Sequence, residues 1–374
     1  MPPLGLKWGQ AVKIMLRRIV PVFALCVLLP LVAVSQQSAP DKAPPAPEPP
    51  GYRISVQANE VILPVTVTDG KGRFVSNLEA RDFQILDEGQ PQRITYFSHN
   101  AKQPIVVGFL VDLSNSSRLY WNIFQDATMD LVWNLLPADD RRFSGYLITF
   151  ANEAEVAVNT TQDADKISEV LRKSKPGGAS AFYDAIYMAC TSRTLVHGEP
   201  FEPRRVVIVI GDGHDTASKK ISYEQVLELA KRSLVTIYAI STQSFGFSNQ
   251  TEDELERLTR ETGGHVEYPL NKDLYKDISG YMSTPKDAGN YVFEAGTGGY
   301  AAEISSAITN AILGVAGDIT TQYILRYVPQ DAPDAKPKAY HHIKVLIPAV
   351  PGVVIRAREG YYPQAAPSAG SPPR

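Results

Sequence analysis

The stretch Pro104-Ile-Val-Val-Gly-Phe-Leu-Val-Asp-Leu-Ser-Asn-Ser116 decides the fold class of this chain. Its apolar run, 105–111, is unbroken, the pattern of a parallel strand whose two faces are both covered by helices. In such sheets ligands gather beyond the carboxyl ends of the strands, and Asp112, Ser114 and Ser116 stand at that end. A spacing of two in extended backbone sends one carboxylate and two hydroxyls to the same side. These are hard oxygen ligands of the kind that Mg²⁺, Mn²⁺ or Ca²⁺ takes.

Two later segments repeat the theme. Gly177-Gly-Ala-Ser-Ala-Phe-Tyr-Asp-Ala-Ile186 is a glycine turn opening a helix, and it offers Ser180 as a further hydroxyl. Arg205-Val-Val-Ile-Val-Ile-Gly-Asp-Gly-His-Asp215 is a second apolar strand that ends in an acid, Asp212, between two glycines. Read singly, each is also an ordinary strand-end turn rich in Ser, Asp and Gly. Read together, three loops at one sheet edge converge on a cation.

With these residues the chain resembles the von Willebrand factor type A family, whose metal-ion-dependent adhesion site runs Asp-x-Ser-x-Ser, then Thr, then Asp in a later loop. The resemblance implies Asp112, Ser114, Ser116, Ser180 and Asp212 as ligands of Mg²⁺, with Mn²⁺ or Ca²⁺ as alternatives. Ser180 departs from the family's Thr: it keeps the hydroxyl and lacks the methyl that stiffens χ1. The order of segments is also similar to the acidobacterial-type VWFA-related domain proteins. That likeness runs from about Ile54 to Pro363 and includes Gln322-Tyr-Ile-Leu-Arg-Tyr and Val354-Ile-Arg-Ala-Arg-Glu-Gly-Tyr-Tyr362.

At 374 residues, 44% hydrophobic and 21% charged, the chain has room for roughly two domains with ordinary cores. Its N-terminus reads as a secretory signal over 1–35. Lys7, Lys13, Arg17 and Arg18 precede an apolar run over 19–34 and the small-x-small site Ala33-Val-Ser35. The run is shorter than the ~18 residues a span needs and is interrupted by Pro21 and Pro30, so cleavage is expected, with an uncleaved anchor as the alternative. Cys26 follows Leu25, where a lipoprotein signal wants a small residue; lipidation is not expected. After cleavage Cys190 is the one cysteine left, which precludes an internal disulfide.

Loss of the four basic residues takes the formal charge from −3 to −7. That balance, without a basic run, argues against nucleic acid as a partner. The six histidines show no zinc-protease spacing. There is no phosphate loop, nucleophile elbow or dinucleotide fingerprint.

Along the chain, 36–51 is a Pro- and Ala-rich spacer. Short alternating segments over 52–100 read as antiparallel β, including strands at 61–68, 83–86 and 92–97. From 103 to 317 strands alternate with helices, expected at 117–136, 163–173, 182–194, 222–231, 252–262 and 302–315. The β pattern returns over 321–362, and 363–374 is a disordered tail. The expected fold is α/β: a doubly wound, Rossmann-like type A domain inserted in or flanked by an antiparallel β-sandwich. Neither β segment has enough strands to stand alone, so a shared sandwich is the simplest arrangement. The segment 273–299 departs from the family pattern and reads as an inserted hairpin, a lid or a solvated loop.

The leading functional expectation is a secreted or periplasmic, non-enzymatic binding module of adhesion type. It would engage an Asp or Glu carboxylate of a protein or peptide through the divalent cation, and meet a membrane only through an uncleaved N-terminal segment. The competing class is a metal-dependent hydrolase or phosphatase at the same acidic edge, with Asp215 and Asp184 as extra acids and His214 as the candidate base.

Overall fold

The computed structural model describes residues 60–99, 103–192, 195–196, 203–243, 250–270, 299–330 and 340–363. The expected signal, the spacer, the β segment before residue 60, most of 273–299 and the tail beyond 363 lie outside the described residues.

In chain order the strands are β1 (Val61–Thr68), β2 (Gln84–Asp87), β3 (Gln90–Gln92), β4 (Ile94–His99), β5 (Ile105–Asp112), β6 (Phe143–Phe150), β7 (Ala154–Thr161), β8 (Arg204–Ile210), β9 (Thr236–Ile240), β10 (Val266–Glu267), β11 (Tyr323–Tyr327), β12 (His341–Leu346), β13 (Val354–Arg356) and β14 (Gly360–Tyr361). The helices are α1 (Trp121–Leu135), α2 (Ala164–Lys173), α3 (Phe182–Thr191), α4 (Tyr223–Arg232), α5 (Gln250–Thr262) and α6 (Gly299–Thr320).

β5 is central in a six-stranded sheet of order β10-β9-β8-β5-β6-β7. It pairs in parallel with β6 and β8 along nearly its whole length, and only β7 runs antiparallel, at one edge. All eight residues of β5 are buried, and successive side chains serve opposite layers. Ile105, Val107, Phe109 and Val111 pack into a core with α1, α2 and α6; Val106 and Leu110 pack into one with α3, α4 and α5. A continuous apolar run is the sequence of such a doubly covered strand. Gly108 lacks a side chain within it for a reason of space: a Cβ there would lie 2.3 Å from the Tyr146 hydroxyl.

Two antiparallel four-stranded sheets, β13-β1-β11-β4 and β14-β12-β2-β3, enclose a third core. Each sheet mixes strands from before β5 with strands from after α6: β1 and β4 flank β11, and β12 pairs with β2. Phe83, Phe97 and Tyr323 form an aromatic cluster between them, with ring centroids 5.1–5.7 Å apart. The mixed α/β architecture with added antiparallel sheets is the one expected from the pattern.

Two local expectations are corrected. The single strand expected at 92–97 is two strands in different sheets. β3 lies at a sheet edge, where Pro91 has no ladder donor to lose, and the break at Arg93 lets the chain pass to β4 in the facing sheet. The helix expected from 117 begins at Trp121, after a 3₁₀ turn over Asn115–Arg118. The serines there hold oxygens that compete with helical bonding.

Candidate metal centre

The five residues singled out in the sequence stand on three loops at the carboxyl ends of β5 and β8 and the start of α3. Backbone bonds join these loops: Asn115 N–H donates to Gly178 O at 3.0 Å, Gly177 N–H to Leu113 O at 2.6 Å, and Thr216 N–H to Ser180 O at 2.8 Å. Asp112 is 1% exposed, Ser114 4% and Ser180 3%, whereas Asp212 is half-buried and Ser116 exposed. The arrangement is a buried polar floor with one side open to solvent.

Within it, Asp112 Oδ1 accepts from Ser114 N–H at 2.7 Å, and the Ser114 and Ser116 hydroxyls are 2.8 Å apart. Asp112 Oδ2 and Ser180 Oγ are buried and have no hydrogen-bond partner. Orphaned buried oxygens are costly and call for a ligand. Burial, and then the nearby Asp212 charge, push the Asp112 carboxyl up to about 7. Gly211 permits the close approach of the two loops, because a Cβ there would lie 2.8 Å from Asp112 Cβ. Two facing carboxylates, unsatisfied oxygens and hydroxyls with free lone pairs fit a hard divalent cation. Among the described residues no three His, Cys, Asp or Glu side chains gather as a metal-ligand group, so hydroxyls would have to complete any shell here.

The extra acids are otherwise engaged. Asp215 Oδ1 accepts from Tyr183 N–H at 3.1 Å and from the Ser218 hydroxyl. Asp184 accepts from Lys219 N–H at 3.2 Å and Lys220 N–H at 3.0 Å. Both tie the 211–220 loop to α3. His214 is exposed, and its N–H donates to Asp212 Oδ1 at 2.9 Å, which orients that carboxylate.

Two positioning residues escaped the sequence reading. Thr216 Oγ1 accepts from Ser180 N–H at 2.9 Å, and Asn152 Oδ1, from the β6–β7 turn, accepts from Ala179 N–H at 2.9 Å. Their signal was only a Thr four residues after Asp212 and an Asn at a hairpin turn. Cys190 is 7% exposed on α3, as the helical spacing anticipated.

The von Willebrand factor type A domain model matches residues 107–279. No curated protein matches the chain. Among solved structures, an aerotolerance-related membrane protein of Bacteroides fragilis is 18% identical, over 43% of this chain and 90% of its own, with a TM-score of 0.33. The vWF domain of the type V pili tip protein Mfa5 of Porphyromonas gingivalis is 17% identical over 33% of this chain and 43% of its own, at 0.28. BatB of Bacteroides thetaiotaomicron is 18% identical over 48% and 97%, at 0.33. With its matched residues running through the parallel sheet and all three loops, the chain contains a von Willebrand factor type A domain.

Proposed function

We propose that the chain is a secreted or periplasmic, non-enzymatic binding module, in which Asp112, Ser114, Ser116, Ser180 and Asp212 hold Mg²⁺ and the cation engages an Asp or Glu carboxylate of a protein or peptide ligand. Type A domains are commonly protein-interaction modules. The observation that carries the reading is Asp112, a carboxylate with an orphaned oxygen that burial, and then the nearby Asp212 charge, raise to about 7. A bound cation would remove that repulsion and leave a Lewis-acidic position for an incoming carboxylate. The protein's own part is to fix the oxygens: Ser114 N–H holds one Asp112 oxygen, His214 N–H holds Asp212, and Thr216 and the Gly177–Gly178 turn hold the Ser180 loop. The apolar Leu119, 65% exposed beside this rim, adds a contact surface for a ligand.

The hydrolase alternative would draw its second metal or its water-activating acid from Asp184 and Asp215. Their bonds to backbone groups of the adjacent loop and helix favour binding over turnover.

Calorimetric titration of purified protein with MgCl₂ and MnCl₂ is the test. One site per chain is expected, abolished in the Asp112→Ala, Asp212→Ala double variant. Undiminished binding in that variant overturns the ligand set, and phosphoester turnover lost in Asp112→Ala would favour the hydrolase. Among the described residues no helix is long and apolar enough to cross a membrane.

A further inference from the structure

α1 and α6 pack on the same face of the parallel sheet and leave a hollow of about 270 Å³ between their outer sides. Asp130, Trp133 and Asn134 of α1 and Thr309, Ile312 and Leu313 of α6 line it. α1 turns Leu131, Val132 and Leu135 into the core, so Trp133 falls on the outer face with Asp130 one turn before it. Trp133 is 41% exposed and Leu313 51%. Two large apolar side chains left in solvent thus meet in one place.

The indole is held from one edge: Trp133 Nε1 donates to Asp165 Oδ1 of α2 at 3.2 Å. A second hollow of about 520 Å³ shares this ring, but its charges are answered. Arg142 Nε donates to Asp140 Oδ1 at 2.9 Å, Lys166 stands 3.8 Å from Asp163, and Arg141 adds a positive charge to the lining. Asp130 in the first hollow differs. Asn134 Nδ2 donates to its backbone carbonyl at 2.9 Å, and among the described residues its carboxylate has no partner.

A partner that covers Trp133 and Leu313 here also covers Asp130, and a carboxylate taken from water without a counter-charge is costly. An uncharged apolar helix therefore does not fit. The walls suit a side chain with an apolar stem and a cationic head. Trp attracts a cation more strongly than the other aromatic rings. A planar guanidinium stacks on such a ring while its N–H edge meets a carboxylate, whereas the lysine ammonium is a compact, strongly hydrated point charge.

We propose that the hollow between α1 and α6 is a docking site for an arginine side chain of a partner protein, with the guanidinium on Trp133 and against Asp130 and the stem along Ile312 and Leu313. It uses none of the candidate metal ligands, so it is independent of the metal-bridged contact.

The test is a ¹⁵N–¹H NMR titration of the full-length protein with acetyl-Gly-Leu-Arg-Leu-Gly-amide and with its citrulline and lysine counterparts. Citrulline keeps the shape of arginine and loses the charge. The Trp133 indole signal, assigned by its loss in Trp133→Phe, should move saturably with the arginine peptide. The citrulline peptide should bind about tenfold more weakly and the lysine peptide less tightly than arginine. Asp130→Asn should weaken the arginine peptide by a similar factor, while Asp112→Ala keeps its affinity, which separates this site from the metal centre. An unmoved indole signal, equal affinity for either counterpart, or undiminished affinity in folded Asp130→Asn overturns the site. A dimer of the free protein that dissociates in Trp133→Ala would give the hollow to a second copy and overturn it equally.

Discussion

Tyr327 donates its phenolic hydrogen to Asp87 Oδ2 at 2.9 Å across 240 residues of sequence. The same oxygen accepts from Tyr361 OH at 3.0 Å, and Oδ1 lies 3.0 Å from His341 Nδ1. All four residues are buried. One carboxylate from the segment before the type A domain thus holds three groups from the segment after it, all within the sandwich.

Tyr327→Phe is expected to lower unfolding free energy by about 1.5–2 kcal/mol, the lower part of the range for a hydrogen bond to a charged group. Asp87→Ala is expected to cost about 3 kcal/mol, because it removes at once the carboxylate that Tyr327, Tyr361 and His341 share. Urea denaturation measures both. Equal costs for the two variants would show that the carboxylate is not the hub of the cluster.

Gly211→Ala removes no candidate ligand, but its Cβ would stand 2.8 Å from Asp112 Cβ and 3.3 Å from Oδ2. The displaced carboxylate should weaken Mg²⁺ binding by about tenfold, ~1.4 kcal/mol, with an unchanged far-UV spectrum. Calorimetry on a folded variant with undiminished affinity would argue against the role given to Asp112.

His265 supplies a pH dependence. Its Nε2 is 2.8 Å from Glu267 Oε1, and its Nδ1 is 3.3 Å from Asp318 Oδ2, an ion-pair contact too poorly aligned for a hydrogen bond. Arg356 holds the same Asp318 through two bonds of 3.1 Å, and the Tyr238 ring meets the imidazole edge-on at 5.5 Å. Burial works against the imidazolium, but Asp318 and Glu267 outweigh it and raise the pKa above 6.5. A group with a raised folded-state pKa stabilises the protein fully below its unfolded value, about 6.5, and that stabilisation is lost as pH rises through the folded value. The urea midpoint should therefore fall over this window, and His265→Gln should flatten that slope. An unaltered slope in the variant would assign the dependence to other groups.

Cys190 is buried, and burial pushes its thiol up to about 11. In a Cys26→Ala background, native protein should react with a disulfide reagent orders of magnitude more slowly than urea-unfolded protein. Prompt native labelling would contradict the packing of α3.

The covered sheet and the outline of the site were legible because their signals are local. An unbroken apolar run such as Ile105–Val111 specifies a strand with two covered faces, and Asp112, Ser114 and Ser116 advertise themselves by a spacing of two. Ser180 and Asp212 were legible for the same reason, as polar residues at the ends of a glycine turn and an apolar run. Residues whose role depends on a distant partner carried no such signal. Nothing beside Asp87 in sequence announces Tyr327, Tyr361 or His341, and nothing around Arg204 shows that it lines the same cavity as Arg358. Asp184 and Asp215 read as spare catalytic acids until the fold brought backbone N–H groups of a distant loop and of α3 to them. The sequence by itself determined which segments are strands or helices, which faces they bury, and which oxygens stand at the sheet edge, since periodicity and side-chain chemistry are properties of neighbours along the chain. Only the tertiary structure decided which of those polar groups are already paired and which are left for a ligand, because hydrogen-bond partners arrive from elements far apart in sequence.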